Sequence, residues 1–123
     1  MNDAAIENPG EAMKALLRRD LRAAMKRGDK DETAVLRELV AALDNAEAAP
    51  LRKEHPSLDR HSFSAGSAEV VRRVLTQEDV HAVLMGEIKV RVESAAELAR
   101  LGAEARSIAL NAEIRILRLY VQQ

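Results

Sequence analysis

The chain contains no cysteine and no tryptophan, and Phe63 and Tyr120 are its only aromatic residues. Without cysteine there is no disulfide, no thiolate nucleophile and no Cys-ligated zinc or iron–sulfur cluster, which excludes disulfide-stapled secreted scaffolds and fits a reducing cytoplasm. The scarcity of aromatics makes the core aliphatic and leaves almost no ring platform on which single-stranded bases would stack. Neither sign of charge dominates: 19 basic residues face 20 acidic ones for a net charge of -1. No global field therefore pulls the molecule onto nucleic acid or an anionic membrane, and any such attraction has to be local. No apolar run approaches the roughly 18 residues of a membrane span. The segment Met1–Gly10, with Asp3 and Glu7, lacks the basic start and apolar run of a signal peptide. A cytoplasmic protein is expected.

What is present is helical. Apolar residues make up 47% of 123 residues, enough for one aliphatic core in one domain. Residues 1–10 are polar and end in Asn8, Pro9 and Gly10, which reads as a flexible tail before a helical domain over 11–123. From Glu11 to Arg27, Met13, Leu17, Leu21 and Ala24 or Met25 recur at helical spacing, with Gly28 and Asp29 as the stop. Asp31 is the expected cap of a second helix whose face is Val35, Leu36, Leu39, Val40 and Leu43. Pro50, Pro56 and Gly66 then break the pattern, predicting a long loop over 48–74. Thr76 is placed to cap a third helix carrying Val80, Val83, Leu84, Ile88, Val92, Ala95, Leu98 and Leu101 up to Gly102. The last helix runs from Ala103 to Val121, with Leu110, Ile114, Leu117 and Val121 on one line. Beside it, Ala105, Ala109, Ala112, Ile116 and Tyr120 form a second line whose small residues would let helices approach closely. The predicted architecture is all-α: an antiparallel bundle of four helices with the long loop between helices 2 and 3.

No catalytic constellation emerges. His55, His61 and His81 have no partners at metal-ligand spacing, and a metal site needs three or four convergent donors. Ser62, Ser64 and Ser67 lack a nucleophile elbow, and no glycine-rich phosphate loop occurs. No cofactor is implied. Charged residues cluster on the third helix, where Glu87 and Arg91, and Lys89 and Glu93, are four apart and suited to intrahelical pairing. Two readings fit them: a solvated face, or a structural polar network drawing on Arg37, Glu87, Lys89, Arg91, Glu93 and Glu113. The most asymmetric feature is on the first helix. Seven basic residues between Met13 and Lys30 face only Asp20 and Asp29, and Lys14, Arg18, Arg22 and Lys26 form a row at four-residue spacing. Such a row suits a phosphate backbone, with Arg72 and Arg73 as helpers. It equally suits a rim of snorkelling side chains complementing the acidic second helix, where Asp31 to Glu47 carries five acids against Arg37.

Five segments in order carry a resemblance: Asp20–Lys26 (DLRAAMK), Val35–Glu47 (VLRELVAALDNAE), Leu75–Val80 (LTQEDV), Glu87–Ser94 (EIKVRVES) and Ala112–Tyr120 (AEIRILRLY). Together they resemble the GatB/YqeY family, whose members are similar to the C-terminal region of the GatB component of the glutamine-dependent tRNA amidotransferase. The resemblance covers most of residues 11–121. It implies a helical accessory module associated with tRNA, or with a protein subunit of a tRNA-modifying complex. The carbon–nitrogen ligase chemistry of that enzyme resides in its other parts. The chain departs from longer members by ending at Tyr120–Gln123 without the following proline and second small helical domain, and Gly66–Thr76 (GSAEVVRRVLT) resembles a single-domain subset. Two functional readings follow: an RNA-associated module working through the basic row, and a protein-interaction or scaffold domain without RNA. The sequence leaves the oligomeric state open.

Overall fold

The computed structural model describes residues 8–48 and 72–122. They form four α-helices, α1 Pro9–Arg27, α2 Lys30–Ala48, α3 Gln77–Arg100 and α4 Glu104–Val121, and no strand occurs among the described residues. Of the loop expected over 48–74, Ala48 ends α2, residues 72–76 are non-helical, and residues 49–71 lie outside the described part, as do residues 1–7 of the expected tail.

Local chemistry sets each helix end. α1 starts at Pro9, two residues before the expected domain start, because proline's fixed φ suits a first helical position and the Asn8 side chain accepts the Glu11 N–H at 3.1 Å. Gly28 closes α1 in the left-handed region, φ 74°, and the Asp29 N–H returns to the Ala24 carbonyl at 3.0 Å. That turn puts Asp29, and not Asp31, at the cap of α2: its Oδ1 accepts the Glu32 N–H at 3.0 Å, while Asp31 sits within the first turn. Thr76 caps α3 in a reciprocal capping box with Asp79. Gly102, φ 84°, turns the chain into α4, with the Ala103 N–H on the Leu98 carbonyl at 2.8 Å.

Both glycine turns are too short to let the helices separate, so α1–α2 and α3–α4 are antiparallel hairpins, and α2 packs on α3 and α4 to join them. The α1 and α4 backbones do not meet. The core is aliphatic as expected: Leu17, Leu36, Leu39, Leu43, Leu84 and Leu117 are fully buried. Two expectations fail. On α3 the buried line runs Leu84, Ile88, Arg91 and Ala95, leaving Val92 and Leu101 at 42% and 70% exposure. One residue of offset turns a helical side chain by about 100°, and Arg91, anchored by carboxylates, takes the position on which Val92 was expected. On α4 the small residues Ala105 and Ala109 are exposed, and neither belongs to the core formed by the described residues.

Leu75 belongs to no helix yet is fully buried, one position before the Thr76 cap, where it joins the core with Val80 in the arrangement of a hydrophobic staple. Replacing it by alanine is expected to lower unfolding free energy by about 2–5 kcal/mol. A urea titration monitored by helical circular dichroism checks this, and a midpoint equal to wild type would remove Leu75 from the core.

Candidate functional site

The basic residues of α1 divide into neutralised and unneutralised sets. Lys14 is only 4% exposed. Its Nζ lies 2.8 Å from Glu47, 2.9 Å from Asp44 and 3.1 Å from Glu11, so it is an internal cation and not the first member of a phosphate-tracking row. Burial disfavours the Lys14 cation, but its hydrogen bonds to Glu47, Asp44 and Glu11 outweigh that cost and raise its pKa above the ordinary lysine value. Arg19 pairs with Asp20 at 3.0 Å, and Arg27 with Glu32 and, at 3.9 Å, Asp29. Arg18, Arg22 and Lys26 remain exposed, and none forms an ion pair with a described residue.

The structure adds Arg37 to that surface. Its guanidinium lies 3.8 Å from the sulfur of Met25, the residue that precedes Lys26 and follows Arg22 by three on α1. The helpers are occupied. Arg72 lies 3.5 Å from Glu47; Arg73 lies 3.3 Å from Asp79 and donates its backbone N–H to the Glu47 carbonyl at 2.8 Å. The Thr76 backbone hydrogen bond to Asp79 holds that carboxyl below the usual aspartate range.

A polar network exists on α3, with a membership narrower than expected. Arg91, 8% exposed, reaches Glu87 and Glu113 at 2.9 Å each and also bonds Glu38 of α2. Lys89 and Glu93 face solvent and make no ion pair with a described residue, and Arg37 stands apart. Desolvation opposes the Arg91 charge, yet Glu87 and Glu113 outweigh it and raise its pKa. Lys14 and Glu47 were missed as a buried pair, although a signal was present. Each falls on its helix's buried line, Lys14 three residues before Leu17 and Glu47 four after Leu43.

No group of three potential ligands converges on a metal position among the described residues, and no buried polar side-chain atom there lacks a partner. His81 is exposed, while His55, His61 and the loop serines lie outside the described residues. An apolar groove of about 300 Å³ opens where α1 and α4 fail to meet, lined by Met13, Leu16, Val80, Leu84, Tyr120 and Val121. From this groove's lining the Tyr120 hydroxyl donates to Asp20 of α1 at 2.6 Å. That bond lowers the Asp20 pKa, and burial together with Asp20 raises that of Tyr120. No helix of the described residues is long and apolar enough to cross a membrane. No family model, curated protein or solved structure matches the chain.

Lys14→Met leaves the Glu47 carboxylate buried without its closest cation and is expected to cost about 3–5 kcal/mol, whereas the Lys14→Met/Glu47→Met pair recovers most of that loss. Additive losses in denaturant titrations of the two single variants and the double would show that the two charges do not interact. Tyr120→Phe is expected to cost about 1 kcal/mol at neutral pH. Because Asp20 has a depressed folded pKa, this contribution is present above the ordinary aspartate value of about 3.9 and is lost as pH falls through the folded one. The stability gap between wild type and variant should therefore close in acid, and a gap independent of pH would refute the assignment.

Proposed function

We propose that the domain is a non-catalytic RNA-binding module whose contact surface is the exposed side of α1, formed by Arg18, Arg22 and Lys26 with Arg37 beside them. The carrying observation is the division of the α1 cations: Lys14, Arg19 and Arg27 are each neutralised by carboxylates, while Arg18, Arg22 and Lys26 have no such partner among the described residues. Unneutralised cations at four-residue spacing advance about 6 Å per step along a helix, a row able to follow a phosphate backbone and release its counterions. The scarcity of aromatic rings favours structured RNA, bound by shape and backbone, over sequence reading of single strands. The five segments resembling the GatB/YqeY family make tRNA the RNA class to try first. A carbon–nitrogen ligase role for this chain alone has no support in its side chains: the sequence has no glycine-rich phosphate loop, and no activated nucleophile accompanies the row among the described residues.

Retention of total tRNA on the immobilised protein is expected at low salt and should weaken steeply toward physiological salt, each phosphate contact contributing roughly one unit to the slope of log K against log salt. Arg18→Glu with Arg22→Glu should abolish retention and leave helicity unchanged, because neither side chain holds the fold together. Retention equal to wild type would exclude this surface. A salt-resistant protein partner captured with no RNA would instead favour an interaction domain.

A further inference from the structure

We propose that the outer face of α4 is a self-complementary surface that pairs antiparallel with the same helix of a second copy of this chain. α4 carries two apolar lines. Ile114, Leu117 and Tyr120 face the core. Ala105, Ile108, Ala112 and Leu119 lie on the outward side, and Ile116 continues their line at three- and four-residue steps while packing in part against the core. Ile108 and Leu119 are 61% and 60% exposed, Ala105 is exposed, and Ala112 and Ile116 are half-buried. Singly exposed apolar residues are ordinary; five in one helical line are a surface that water solvates poorly.

The line is symmetric about Ala112. Ile108 and Ile116 lie four residues to either side of it, and Ala105 and Leu119 seven. A two-fold axis at Ala112 therefore sets Ile108 against Ile116 of the second copy and Ala105 against its Leu119, small opposite large, with the alanines where the helices come closest. That is the requirement of an isologous contact, in which one patch is its own complement.

Charge selects the antiparallel direction. Glu104 stands at one end of an edge of this face and Arg115 and Arg118 toward the other; all three are exposed, and none pairs with a described residue. Parallel pairing would set this edge against the opposite edge of the second copy, so that Glu104 and the arginines would not face one another. Antiparallel pairing about Ala112 brings Glu104 of one copy within two residues, about 3 Å along the axis, of Arg118 of the other. A foreign helix would need none of this internal symmetry.

Because the chain has no cysteine, Ala112→Cys places a single thiol on the proposed axis. Under mild oxidation it should form a disulfide-linked dimer much faster than the exposed control Lys89→Cys. In sedimentation experiments extended into the high micromolar range, wild type should move from the monomer mass of 13.5 kDa toward twice that value. Ile108→Asp, which alters no core contact, should stay at the monomer mass with unchanged helicity. Glu104→Arg should weaken association about tenfold, and Glu104→Arg combined with Arg118→Glu should restore it. A wild type that stays monomeric throughout, or Ala112→Cys cross-linking no faster than the control, would overturn the proposal.

Discussion

The Lys14–Glu47 pair ties together three separate stretches of chain. Glu47, near the end of α2, accepts Lys14 from α1 and approaches Arg72 through its side chain, and its backbone carbonyl accepts the Arg73 N–H. A buried carboxylate is tolerable only where cations and donors surround it, so this junction has essentially one arrangement. Gly10 belongs to the same constraint. A Cβ there would lie 3.2 Å from Glu47 Oε2 and 3.2 Å from Leu75 Cβ, so only glycine lets the first turn of α1 close on both without displacing them. The Glu47 carboxylate also lies beside the positive end of the α1 dipole.

Arg91 plays the corresponding part among α2, α3 and α4. One guanidinium gathers Glu38, Glu87 and Glu113, which come from those three helices. The remaining core consists largely of leucine, a side chain that repacks in several ways at similar energy. Apolar burial supplies the driving force, but it discriminates weakly among helix rotations. A rotation that took Lys14 or Arg91 away from its carboxylates would strand a buried charge, and that cost falls on every alternative register.

The same arrangement determines the surface. Acids of α2 that would otherwise offset the basic face of α1 are already paired: Asp44 and the buried Glu47 with Lys14, Glu38 with Arg91, and Glu32 with Arg27. Arg18, Arg22 and Lys26 are left unneutralised on a molecule whose net charge is -1. A locally basic face on a nearly neutral protein is thus a product of internal pairing.

By itself the sequence determined the helices and their stops. Apolar spacing placed Leu17, Leu36, Leu39, Leu43, Leu84 and Leu117 in the core. Gly28, Thr76 and Gly102 marked ends whose chemistry is local, since a cap or a left-handed turn depends on residues within one helical turn. Only the tertiary structure decided which charges were internal. Lys14 and Arg18 are four residues apart on one helix and look alike in sequence, yet one is buried among three carboxylates and the other is exposed. The partners that make the difference, Asp44 and Glu47, are about thirty residues away. Likewise Arg91 and Val92 compete for one buried line of α3, and Glu38, 53 residues distant in the chain, helps settle the contest. The periodicity of one helix carries no information about the charge on the helix that packs against it.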